Sequence, residues 1–133
     1  MATDEDAIRN LIALHAQMTD DGEAKERVNL YTKDGEFDFA GVKSVGRDAL
    51  AATFAASSDP VRRGKHITAN MVIEIDNERA NVRTDWAFLR PGADGFAVLA
   101  AGRYYDVLEK HGGEWLFKQR RIAPLQPITP SST

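Results

Sequence analysis

The sequence predicts an α+β domain in which a strongly curved, antiparallel or mixed sheet wraps over three N-terminal helices and leaves a cone with an open mouth. Two observations predict it. Helical periodicity is confined to residues 3–56, and from Lys65 onward the apolar pattern changes to strand-like alternation broken by short turns. Helices first and strands afterwards is the order of a domain whose helices are segregated to one face of its sheet. The apolar wall of such a cone, with few inward polar groups, is a natural small-molecule pocket.

Each element has its own signal. Residues 3–19 form an amphipathic helix: Thr3 can cap it with Asp6 three positions on, and Ile8, Leu11, Ile12 and His15 recur at helical spacing, with Leu14 and Met18 beside them. Asp20-Asp21-Gly22 breaks that helix, and residues 23–31 read as a second, short one with Val28, Leu30 and Tyr31 turned inward. Lys33-Asp34-Gly35 is expected to be a turn, 36–40 and 42–45 short strands, and 47–56 a third helix carrying Leu50 and Phe54 inward. Four strands follow at about 65–75, 79–90, 96–110 and 114–123, separated by Asp76-Asn77, Pro91-Gly92-Ala93-Asp94-Gly95 and His111-Gly112-Gly113. Turns this short make the neighbouring strands antiparallel. The expected domain is 1–124. The remainder, 125–133, with two prolines and a Ser-Ser-Thr end, has little to bury and is expected to be a flexible tail.

Bulk composition narrows the function classes. With 43% hydrophobic and 28% charged residues and a formal net charge of -3, the chain has no electrostatic pull toward nucleic acid or an anionic membrane. The N-terminus MATDEDAIRN is acidic where a leader would be basic, and no apolar run is long enough to span a bilayer, so a cytoplasmic location is expected. Cysteine is absent, which removes disulfides, thiolate metal sites and thiol nucleophiles. The three histidines stand in no cluster with metal-ligand spacing, so neither a metal nor another cofactor is expected.

Several segments, in order, carry a family likeness: the helix ending in Asp20; Val28-Asn29-Leu30-Tyr31-Thr32-Lys33-Asp34-Gly35-Glu36-Phe37-Asp38; Gly46-Arg47-Asp48-Ala49-Leu50; Lys65-His66-Ile67-Thr68-Ala69-Asn70; Ala101-Gly102-Arg103-Tyr104-Tyr105-Asp106; and Gly112-Gly113-Glu114-Trp115. Together they resemble the NTF2-like superfamily (cystatin-like fold) and, within it, the SnoaL-like branch that includes scytalone dehydratase and ketosteroid-isomerase-type enzymes. The resemblance implies that His66 is a catalytic histidine and Asp20 the acid that orients it, with Asp21 as the alternative acid. It also implies a homodimer packed through the outer face of the sheet. The chain departs from the dehydratase pattern: Thr19 stands where a tyrosine is common, Ala24 where a tryptophan is, and residues 79–91 lack the second histidine. Scytalone itself is therefore not the expected substrate.

An imidazole whose other nitrogen is held by a carboxylate has a fixed tautomer and a more basic free nitrogen. His66 could then take a proton beside a carbonyl, the first step of eliminating a β-hydroxyl or shifting a double bond, and donors are needed for the enolate. Asn70, in phase with His66 on its strand, and Tyr104 are the candidate donors; Phe39 and Trp86 are candidate aromatic walls for a planar substrate. Arg83-Thr84-Asp85 also resembles limonene-epoxide hydrolase, and the family alignment turns Arg83 and Asp85 inward, where Asp85 would meet substrate. Strand alternation instead groups Ala80, Val82, Thr84, Trp86 and Phe88 on one face and leaves Arg83 and Asp85 on the other. The hydrolase also needs an acid on the last strand, which offers Lys118, Gln119, Arg120 and Arg121. His15 reads as a core or pocket-edge group, and Arg62-Arg63-Gly64-Lys65 as a solvated loop that could draw an anionic substrate to the mouth.

The expected function is a cofactor-free lyase (a dehydratase or related elimination enzyme) or isomerase acting on a small cyclic or aromatic hydrophobic molecule. Its rivals are a hydrophobic-ligand binding module, an assembly domain like the β subunit of ring-hydroxylating dioxygenases, and an epoxide hydrolase.

Overall fold

A computed structural model describes residues 2–126. The elements are α1 (Asp4–Asp21), α2 (Ala24–Val28), β1 (Tyr31–Phe39), β2 (Val42–Val45), α3 (Arg47–Ala56), a 3-10 turn at Pro60–Arg62, β3 (Lys65–Asp76), β4 (Arg79–Gly92), β5 (Gly95–His111) and β6 (Glu114–Pro124). The six strands form one curved, unclosed sheet in the order β2-β1-β6-β5-β4-β3. Every neighbouring pair is antiparallel except β1 and β6, whose parallel pairing makes the sheet mixed. Register shifts interrupt β3–β4, β4–β5 and β5–β6. An extra residue on one strand bends it and deepens the local twist, so these bulges help a long sheet curl over its helices.

The N-terminus of α1 is fixed as its sequence dictates. The Thr3 hydroxyl accepts from the Asp6 N–H, the Asp6 carboxylate accepts from the Thr3 N–H, and Gly22 ends the helix in the left-handed conformation. Ile8, Leu11 and Ile12 on the inner face of α1 pack with Leu50 and Phe54 of α3 and with Tyr31, Val82, Leu108, Trp115 and Phe117 of the sheet. A second cluster, Trp86, Tyr104 and Ile122, lies farther along the sheet with Phe37, Phe88 and Ala100 against it.

Three expectations are corrected. The second helix stops at Val28, and Tyr31 begins β1, fully buried and stacked on Phe117 with ring centroids 5.1 Å apart. Lys33-Asp34-Gly35 is not a turn between elements but part of an irregularity inside β1, where the five steps from Tyr31 to Glu36 oppose two on β6. Gly35 permits this because a Cβ there would stand 2.9 Å from that of Tyr31. Finally, Ala80, Val82, Thr84 and Trp86 face the core, so Arg83 and Asp85 point to the outer face, against the family alignment and with the alternation. The expected flexible tail falls largely on 127–133, outside the described residues. Among the described residues no helix is long and apolar enough to cross a membrane.

Candidate active site

A cavity of about 370 Å³ opens between the sheet and the helices. Aromatic and aliphatic groups supply much of its wall, including Phe37, Phe39, Phe88 and Ile122. A smaller recess of about 140 Å³ shares Phe39, His66, Phe88 and Tyr104 with it and adds Trp86.

Asp20 reaches this wall from the last turn of α1, and His66 from the second residue of β3. Two glycines let those elements meet. Gly22 turns the chain back at the end of α1, and the Arg63 guanidinium occupies the space a Cβ there would take. Gly64 passes so close to β4 that a Cβ would lie 2.2 Å from the Leu89 carbonyl oxygen. The Asp20 carboxylate then receives two donors from one residue: Oδ1 accepts from the His66 backbone N–H at 3.0 Å and lies 2.7 Å from Nδ1, while Oδ2 is 3.2 Å from the same backbone nitrogen. Asp20 is buried and Asp21 exposed, so Asp20 is the acid in contact with His66. An ionised carboxylate can only accept, so Nδ1 is the donor in this contact, and in the neutral ring that arrangement leaves the Nε2 lone pair free. The His66 ring packs on Phe88, its cross-strand partner, with centroids 4.6 Å apart.

Below this pair lies a buried polar floor. Arg120, 1% exposed, forms a fork with Asp106 at 2.8 and 2.9 Å and places Nη1 3.2 Å from His15 Nδ1. Because the guanidinium must donate, His15 Nδ1 accepts, and Nε2–H donates to the Tyr31 hydroxyl oxygen at 2.8 Å. Burial, then the charges of Arg120 and Arg27, hold the His15 imidazole well below its ordinary range, so it is neutral. Burial alone would lower Arg120, but Asp106 more than offsets this and raises it. Burial likewise pushes the Tyr31 and Tyr104 hydroxyls up, so both keep their protons. Arg120 also lies 3.9 Å over the Tyr104 ring, which stacks on Trp86.

The structure therefore groups Asp20, His66, Phe39, Trp86 and Tyr104 around the cavity and its recess, with Phe39 half exposed at the rim. It does not bring Asn70 and Asp85 there. Asn70 has φ 53° at the β3 bulge, and the inward positions switch from His66 and Thr68 before it to Met71, Ile73 and Ile75 after it. One added residue reverses the facing of everything beyond it. Asn70 Nδ2 and Arg103 Nε instead donate to Asp85 on the outer face, at 3.0 and 2.8 Å, and these bonds hold the Asp85 carboxyl below its usual range. The epoxide-hydrolase set is accordingly not assembled in the cavity.

Two cavity groups were not singled out from the sequence. Alternation along the last strand turns some of its cations inward, but counting back from His111-Gly112-Gly113 would pair Asp106 with Gln119; only the register shift between Val107 and Leu108 sets Asp106 opposite Arg120. Arg27 had no comparable signal, because a cation beside Val28 on a short helix reads as surface. Among the described residues no group of three or more His, Asp or Glu side chains could hold a metal ion.

No curated protein matches the chain in sequence. Among solved structures, Rv3472 from Mycobacterium tuberculosis, a protein of unknown function, is similar with a TM-score of 0.86 and 28% identity over 96% of this chain and 75% of that one. An NTF2-like protein with a cystatin-like fold from Novosphingobium aromaticivorans gives a TM-score of 0.84 at 21% identity, covering 97% and 86% of the two chains. A candidate scytalone dehydratase from the same bacterium gives 0.79 at 23%, covering 90% and 83%. The SnoaL-like domain model matches residues 1–121, and with this NTF2-like, cystatin-like architecture the chain belongs to the SnoaL-like family.

Proposed function

We propose that the protein is a lyase or isomerase that removes a proton beside a carbonyl of a small cyclic or aromatic substrate, with His66 Nε2 as the base and Asp20 as its orienter. One observation carries this reading: a buried carboxylate binds both the backbone N–H and Nδ1 of a histidine that lines an apolar cavity. Two contacts to one residue fix the ring as well as its tautomer, which is what a general base needs before substrate arrives. As the proton moves to Nε2, the C–H electron pair forms the C=C bond of the enolate and the carbonyl π pair moves onto oxygen. The enolate then either expels a β-hydroxyl, which takes the proton from Nε2 and leaves as water, which is elimination, or takes that proton back at another carbon, which is isomerisation. Tyr104, protonated and on the cavity wall, supports the reading as a donor to the enolate oxygen. Exposed Ile67 and Val72 on the outer sheet face support a homodimer packed there; a monomeric mass by light scattering would remove that element.

The test is hydrogen–deuterium exchange at the α-carbons of 2-tetralone in D2O, followed by proton NMR. Wild type is expected to accelerate exchange, and His66→Ala to slow it by about 10²–10⁴-fold with an unchanged circular dichroism spectrum. In Asp20→Asn, imidazole ¹⁵N shifts should show loss of the single Nδ1–H tautomer together with slower exchange. Equal exchange in wild type and His66→Ala would leave a binding module rather than a catalyst.

A further inference from the structure

Two arginines stand almost wholly buried at this cavity, and they are treated differently. Arg120 has the Asp106 carboxylate. Arg27, 4% exposed, donates only to neutral hydroxyls, Thr19 Oγ1 at 2.6 Å and Ser57 Oγ at 3.4 Å, and its buried Nε has no partner. Among the described residues no carboxylate lies within ion-pair distance of it; Asp20, the acid on the cavity wall, is occupied by His66. The Phe54 ring, 3.8 Å below the guanidinium carbon, gives the cation a π face but no acceptor. Withdrawal from water without a compensating anion lowers the Arg27 guanidinium to about 10, a group that ordinarily holds its charge far more firmly. Charge at the cavity as a whole leans the same way: its lining holds Arg27, Arg62, Arg63 and Arg120 against Asp20. Arg62 and Arg63 come from the segment before β3, which reads in the sequence as a solvated loop and here contributes to the cavity lining.

A buried cation without a counter-ion is costly to keep, and an apolar residue in its place would fold as well or better. What repays that cost is an anion that arrives with the ligand. A planar guanidinium with donors to spare matches a carboxylate, which it can grip through two parallel N–H bonds. Resting on the reading that this cavity holds the substrate, we propose that Arg27 is its anion-binding residue and that the substrate is a cyclic or aromatic carboxylic acid.

Calorimetric titration of 2-naphthoate against its neutral isostere 2-naphthamide tests this. Wild type is expected to bind the acid about tenfold or more tightly than the amide. Arg27→Leu should bind both with the amide's affinity, at a melting temperature no lower than wild type, whereas Arg27→Lys keeps part of the preference. His66→Ala should keep all of it, so this result is independent of whether His66 moves a proton. Equal affinities in wild type need no variant to interpret and overturn the proposal. So does a preference that survives Arg27→Leu, or one lost in Arg62→Gln/Arg63→Gln but retained in Arg27→Leu. Failure of both probes to bind wild type also overturns it.

Discussion

Replacing Asp106 by asparagine probes the floor on which the cavity rests. Asp106 is 2% exposed and gives both carboxylate oxygens to Arg120, itself buried and in contact with His15. The amide keeps the shape but removes the charge and one of the two acceptors, leaving a guanidinium in the interior with nothing to neutralise it. Breaking a buried ion pair from one side costs about 3–5 kcal/mol. For a chain of 133 residues, an unfolding entropy of about 2.1 cal/mol/K per residue amounts to about 280 cal/mol/K at the midpoint, so the melting temperature should fall by roughly 11–18 °C. Urea unfolding followed by fluorescence is a convenient assay, because Trp86 and Trp115 are both buried and report on different clusters of the core. The double variant Asp106→Leu/Arg120→Met, which replaces the pair with apolar volume, should recover most of the loss. A cost below about 1 kcal/mol for Asp106→Asn, with no recovery in the double variant, would refute the reasoning that an uncompensated charge sets the magnitude.

Two further perturbations follow from the same geometry. His15 is held neutral in the fold well below its ordinary value of 6.5, so below that pH the unfolded chain binds a proton that the native chain refuses. Stability therefore falls as pH drops below 6.5, by up to about 1.4 kcal/mol per pH unit for this one group. Asp106, raised by burial above its ordinary value of 3.8, contributes with the opposite sign, so the comparison to make is wild type against His15→Gln in urea at pH 7 and pH 5. Identical slopes would mean that His15 is not the group responsible. Gly64→Ala drives a Cβ against the Leu89 carbonyl oxygen two residues before His66. It should displace the start of β3, costing about 1–3 kcal/mol and loosening the Asp20–His66 contact, seen as loss of the single His66 tautomer in ¹⁵N spectra. A folded Gly64→Ala variant with the wild-type tautomer would show that this close approach does not position the histidine.

Several features of the protein were legible residue by residue. Thr3 and Asp6 announce the cap of α1, and Ile8, Leu11 and Ile12 mark its buried face; on β4 the alternation from Ala80 to Trp86 agrees with the structure, but the family likeness pointed Asp85 the other way and only packing decided between them. These signals are local, since a helix cap or a strand face depends on neighbours within a few residues. The Asp20–His66 contact, spanning 46 positions, became legible through the likeness of short segments to a family. Asn70 shows where such reading stops, because equal spacing from His66 puts it on the same face only if the strand is regular, and a single bulge sends it outside. The irregular β1 shows it again: Lys33-Asp34-Gly35 carries a true turn signal, yet burial of Tyr31 against Phe117 holds the strand in the sheet and converts the turn into a shift of register. Arg27 is the extreme case. Its environment is made by Thr19, Phe54 and Ser57, from α1, α3 and the residue that ends α3, so its burial and its want of an anion exist only once those elements have packed. Local pattern determined the elements and their faces, while tertiary packing decided which charged groups lost their water, and therefore which of them must seek a partner.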